Sequence, residues 1–79
     1  MTRHLRYTII LHPDPEGGYA VEVPALPGCH TQGETIAEAI AAVKDAIRPC
    51  VEDLIDSGEP VPVETEPAQA IVIDVETAA

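Results

Sequence analysis

Apolar and polar side chains alternate over residues 5–12, with Leu5, Tyr7, Ile9 and Leu11 on one face and Arg6, Thr8, Ile10 and His12 on the other. A period of two predicts a strand with one dominant apolar face. Residues 13–18, Pro-Asp-Pro-Glu-Gly-Gly, combine fixed-φ prolines with glycines that accept positive φ, so the chain reverses there. Tyr19, Val21 and Val23 then alternate with Ala20, Glu22 and Pro24, which gives a second strand paired antiparallel to the first. A proline-glycine turn at Pro27-Gly28 follows, and then a short third strand over residues 29–33.

The period changes at Thr35. Thr35 and Glu38 have the spacing of a capping box, and Ile36, Ala39, Ile40, Val43, Ile47, Cys50, Val51 and Leu54 recur at intervals of three and four. That pattern predicts a helix with one buried stripe, stopped at Gly58. Pro49 lies inside it and removes a backbone hydrogen bond. The stripe stays in phase to Leu54, which favours one bent helix; two shorter helices are the alternative. Residues 59–68 are rich in proline and acid and form a connector. Residues 70–75 are β-branched, with Ile71, Ile73 and Val75 on one face, and predict a fourth strand. The fold class expected is therefore α+β, in the order β-β-β-α-β: a small, mostly antiparallel sheet with one helix on one face. A single domain spans residues 1–79, with its ordered core at about residues 4–76.

Composition narrows the picture. The chain has no Trp or Phe and only Tyr7 and Tyr19 as rings, so its core is aliphatic and small. A domain of this size buries roughly 60% of its unfolded surface, and association into a dimer or tetramer is expected to complete it. Fourteen acidic against four basic residues give a net charge of -10. Because Arg3 and Arg6 lie in the first 12 residues, the remaining 67 carry -12 (Lys44 and Arg48 against 14 acids). Such a field repels phosphate backbones and anionic lipids, so direct nucleic-acid binding and membrane attachment are not expected. It steers a basic protein toward the chain, or else it serves solubility alone. No apolar stretch approaches the roughly 18 residues of a membrane span, and no signal peptide is expected. Cys29 and Cys50 read as reduced thiols in a cytoplasmic protein.

Candidate chemistry is sparse. Nuclease chemistry on two metal ions needs several converging carboxylates, and the first strand carries none; Glu22 and Asp74 make at best a weak cation site. His4, His12, His30, Cys29 and Cys50 lack zinc-ligand spacing. No phosphate loop surrounds the glycines. No catalytic residue, metal or cofactor is therefore expected, and both cysteines read as small core hydrophobes. The acids are more informative. Glu52, Asp53 and Asp56 fall at the helix C-terminus, where the macrodipole disfavours them, and Arg48 is placed to answer Glu52 alone. They mark either a solvated face or a docking patch for a basic protein, with Asp14 and Glu16 in the hairpin turn as weaker candidates.

The element order, Tyr7-Thr8-Ile9-Ile10, Gly17-Gly18-Tyr19 and above all Pro24-Ala25-Leu26-Pro27-Gly28-Cys29-His30-Thr31-Gln32-Gly33-Glu34-Thr35, followed by Glu38-Ala39, resemble the HicB antitoxin family of type II toxin-antitoxin pairs. The resemblance covers about residues 5–62. It implies a partial RNase H-like fold in which Pro24, Leu26, Pro27, Gly28, Cys29, Gly33, Thr35 and Glu38 are structural. It implies as partner a HicA-type toxin, a small basic mRNA-cleaving ribonuclease blocked by direct contact. Many such chains continue into a C-terminal DNA-binding segment; this sequence resembles a short form without it. The alternative is a stand-alone oligomeric module with a structural or ligand-binding role and no toxin.

Overall fold

The computed structural model describes residues 4–78. Three strands, β1 (Ile10–Pro13), β2 (Tyr19–Glu22) and β3 (His30–Gly33), form an antiparallel sheet in the order β1-β2-β3, followed by one helix, α1 (Ile36–Asp56). The β1–β2 register pairs Ile10 with Glu22 and Leu11 with Val21, and the β2–β3 register pairs Val21 with Thr31. The ladder begins five residues later than the alternation from Leu5 predicts, and the register explains why. Continued backward it sets Thr8 opposite Pro24, which has no N–H to give. Leu5, Tyr7 and Ile9 nevertheless pack against the core as the alternation requires.

The hairpin turn closes through the Asp14 amide to Gly18 O (3.0 Å) and the Gly17 amide to Asp14 O (2.9 Å). β3 meets the helix at Gly33. A Cβ there would sit 2.5 Å from Ala39 N and 2.7 Å from Ala39 Cα, so only glycine lets the strand touch the helix backbone. α1 then crosses one face of the sheet, chiefly over β3.

Thr35 caps the helix, its Oγ1 accepting from the Glu38 amide at 3.1 Å. The reciprocal half of the box is shifted by one residue: Glu38 Oε2 accepts from the amide of Glu34, at 3.0 Å. The helix runs through Pro49 without a break, so the alternative of two shorter helices is not realised. It ends as Gly58 predicts. Gly58 takes φ 71°, its amide donates to Ile55 O (3.1 Å) and the Glu59 amide to Leu54 O (2.9 Å), the paired bonds of a Schellman stop.

Val21, Val23, Leu26, Cys29, Ala39, Val43 and Val51 are buried. At about 1.5–3 kcal/mol for each fully buried Val or Leu side chain, a core this small leaves little surplus over chain entropy. Two members of the expected stripe, Ile36 and Ile40, are exposed, because no described residue fully covers that side of α1.

The expected fourth strand does not form. Residues 70–75 belong to no ladder, and Ile71, Val72, Ile73 and Val75 are exposed. The reason lies in the connector. Tyr7 Oη donates to Pro62 O at 2.7 Å, and Glu64 Oε2 accepts from both the amide (3.0 Å) and the hydroxyl (2.9 Å) of Thr8. The connector is thus tied to Tyr7 and Thr8 by side-chain hydrogen bonds before the β-branched run begins. What the structure holds is the β-β-β-α part of the expected partial RNase H-like arrangement.

Candidate partner-binding surface

The acidic residues that the sequence singles out fall at opposite ends of α1. At 1.5 Å per residue, its 21 residues separate those ends by roughly 30 Å. Asp14 and Glu16 sit at the hairpin tip, and Asp14 lines a polar cleft of about 300 Å³ that also presents Glu34 and Glu38 beside the helix N-terminus. Asp14 is partly committed to the fold, since its Oδ1 accepts from the Glu16 amide at 2.8 Å and holds the turn. Glu16 is exposed. Glu34 and Glu38 escape a search for charge runs because they flank a cap, where acid is explained by the helix dipole.

At the other end Glu52, Asp53 and Asp56 are exposed, and no basic residue occupies the last turn. The expected pairing of Arg48 with Glu52 does not form. Among the described residues the one ion pair is His12 Nε2 to Glu22 Oε1, 2.9 Å apart on the sheet and ionic only when the histidine is protonated. Asp53 lies beside the proline-glycine loop. Together with Leu26, Pro27, Gly28, Leu54 and Glu59 it lines a hollow of about 290 Å³. The loop is shaped by the Leu26 amide to Val23 O and the Cys29 amide to Leu26 O, both 2.9 Å, and Gly28 takes φ 87°. Leu26, Pro27 and Gly28 build an apolar floor, with Asp53 and Glu59 on its rim. Glu59 joins the rim because the Schellman stop folds it back, which no linear spacing announces.

Cys29 is buried with its Sγ 3.7 Å from Ala46 O, and Cys50 is half-buried beside it; both are free thiols. Burial pushes the Cys29 thiol up to about 12, with the neighbouring Cys50 thiol adding to the shift. A neutral thiol is neither nucleophile nor metal ligand. Glu22 is engaged by His12 and Asp74 lies in the unpaired segment, so the structure does not bring the two together. Among the described residues no group of three or more His, Cys, Asp or Glu side chains is arranged to hold a metal ion, and no helix is long and apolar enough to cross a membrane.

A three-stranded sheet under one helix, with acid concentrated at both helix ends, defines a small acidic α+β module. Residues 7–77 match the family model described as the HicB_like antitoxin of bacterial toxin-antitoxin systems, and the chain belongs to that family. It is 48% identical over 58 residues to the UPF0150 protein Ta0767 of Thermoplasma acidophilum, a match covering 73% of this chain and 84% of that one. It is 42% identical over 59 residues to antitoxin HicB of Escherichia coli K12, covering 75% of this chain and 43% of that protein. Among solved structures it is similar to the N-terminal domain of Burkholderia pseudomallei antitoxin HicB, with a TM-score of 0.60 and 43% identity over 77% of this chain and 69% of that one.

Proposed function

We propose that this chain is an antitoxin that binds a small basic HicA-type toxin and blocks its mRNA cleavage by protein-protein contact. Membership of the family is the observation that carries this reading. The charge distribution agrees with it, because Asp53 and Glu59 line an apolar hollow, and Asp56 lies in the same last turn, at a helix end that supplies no cation of its own. A basic ribonuclease surface, built to meet phosphate, finds there both counter-charge and an apolar seat. The role is binding, not catalysis, in a cytoplasmic protein without cofactor. Free Cys29 and Cys50 suit a reducing compartment. The chain acts as a homo-oligomer and makes no direct contact with nucleic acid.

The test is genetic and biochemical together. A neighbouring reading frame for a small basic protein is expected to be toxic when expressed alone, harmless beside this chain, and co-purified with it. A neighbour that is innocuous alone, or remains toxic in the presence of this chain, refutes the antitoxin reading.

A further inference from the structure

The chain's two cysteines come from different elements and meet in space. Cys29 ends the proline-glycine loop just before β3, and Cys50 lies in the second half of α1. The Cys29 backbone is held on both sides, its amide donating to Leu26 O at 2.9 Å and its carbonyl accepting from the Val23 amide at 3.3 Å. Its Sγ lies 3.7 Å from Ala46 O. In an α-helix that carbonyl is the one the Cys50 amide bonds to, about 2.9 Å away, so the Cys29 sulfur stands within a side chain's reach of the Cys50 backbone. Helical side chains lean toward the N-terminus, which carries the Cys50 sulfur back over the Ala46 turn and onto Cys29. The thiols do interact: burial first, and then a hydrogen bond to the Cys50 side chain, hold the proton on Cys29.

The two sulfurs differ in access. Cys29 is 4% exposed, whereas Cys50 is half-buried, and both belong to the wall of the hollow beside the proline-glycine loop. A partly exposed thiol backed by a buried second one is the arrangement in which one sulfur meets a reagent and the other resolves the product.

We infer that Cys29 and Cys50 are a reversible redox pair, which a low-molecular-weight disulfide converts into an intrachain disulfide fastening the proline-glycine loop to α1. The Cys50 thiolate attacks one sulfur of the reagent; a mixed disulfide forms at Cys50, and one reagent thiolate leaves and takes up the proton that Cys50 released. Cys29 then gives up its proton, its sulfur attacks that of Cys50, and the second reagent thiol leaves with that proton. Two protein thiols and one reagent disulfide thus become one protein disulfide and two reagent thiols, with no other donor or acceptor of electrons. The order follows from access, since Cys29 is closed to the reagent but held against the sulfur it must attack. In a reducing compartment the pair stays open, and excess thiol reverses the closure. The bridge encloses β3 and α1 as far as Pro49 in one loop, and it forms within a single chain without a partner.

The test uses the full chain, folded and reduced, at mildly alkaline pH. The reagent is cystamine, whose positive charges suit the rim formed by Asp53 and Glu59, and the readouts are intact mass and mobility on a non-reducing gel. The wild type is expected to lose two hydrogen masses, retain no cysteamine, remain a single chain and reopen with dithiothreitol. Cys29→Ala is expected to stop at the mixed disulfide, with one cysteamine on Cys50, and Cys50→Ala to leave Cys29 unmodified while folded. The closed wild type is expected to keep its helix content and to melt about 10 °C higher than the reduced form, because the cross-link restricts the unfolded chain. The wild-type measurements decide the matter even if Cys29→Ala does not fold. A wild type that stays reduced, retains cysteamine on Cys50, closes only in urea or bridges two chains overturns the pair, and so does a closed form that melts below the reduced one. Modification of Cys29 in folded Cys50→Ala overturns the order of attack.

Discussion

The two ends of α1 are both acidic, yet they differ in what the acid does. At the N-terminus Glu38 accepts from the Glu34 amide, Thr35 caps the Glu38 amide, and the carboxylate sits where the dipole is positive. At the C-terminus Asp53 and Asp56 face the negative end of the same dipole with no basic residue in the last turn. One end is acid that the fold uses; the other is acid that the fold tolerates at a cost of a few tenths of a kcal/mol per charge. An acidic cluster therefore argues for a partner only where local structure fails to employ it, and here that is the end beside the proline-glycine loop.

The N-terminal end is the tightest junction in the fold, and Gly33→Val is expected to break it with the largest effect of any change considered. The added Cβ would meet backbone atoms of Ala39 and Glu38 between 2.5 and 2.9 Å away, which cannot swing aside as a side chain would. A loss of about 3 kcal/mol or more is expected in urea unfolding, at the upper end of overpacking costs. A loss below about 1 kcal/mol would mean that strand and helix are not held this closely.

The C-terminal end responds to pH through Cys29. Its thiol is raised from 9.0 to about 12 in the fold, so the unfolded chain releases its proton first. The contribution to stability is fully present below about 9, and it declines as pH rises toward about 12. Alkaline unfolding should therefore become easier across that window, and less so in Cys29→Ala. At pH 8 Cys29 should resist iodoacetamide in the native state and react once unfolded.

Thr35→Ala sharpens the comparison from the N-terminal side. Removing the hydroxyl that accepts from the Glu38 amide should cost about 1 kcal/mol, with helix content reduced first at that end. Thermal unfolding and amide exchange at Ala37 and Glu38 would report it.

These local devices were legible in the sequence because each is specified within a few residues: the glycine-rich reversal, the proline-glycine turn, the Thr35 cap and the Gly58 stop. What depended on distant partners was not. The β-branched run over residues 70–75 has strand propensity, but whether a ladder receives it depends on residues some 60 positions earlier, and there the connector is held by side-chain bonds such as Glu64 to Thr8. Arg48 and Glu52 have the spacing of an ion pair and do not form one, since at an exposed helix surface such a pair gains little over hydration. The acids were legible one by one. Their division between two ends of a helix, and the placing of Asp53 on the rim of the motif loop, emerged only from the packing of α1 on the sheet.

The smallest effect on stability, and the most informative for function, belongs to Asp53→Asn combined with Asp56→Asn. Both side chains are exposed and neither is engaged by an ion pair, so their neutralisation removes only repulsion from the helix C-terminus. The free domain should be unchanged or more stable by a few tenths of a kcal/mol. Association with a basic toxin should slow and lose part of its salt dependence, because exposed rim charges act mainly on the encounter rate, while dissociation should change less. The matched change at the other end, Glu38→Gln, tests the contrast from the opposite direction: it should weaken the helix N-terminus slightly and leave the association rate nearly untouched. Stopped-flow binding at two ionic strengths separates the cases. If both pairs of measurements move together, the two ends are equivalent in binding and the acid beside the loop has no special role; if only the Asp53 and Asp56 variant slows, that end is where the partner arrives.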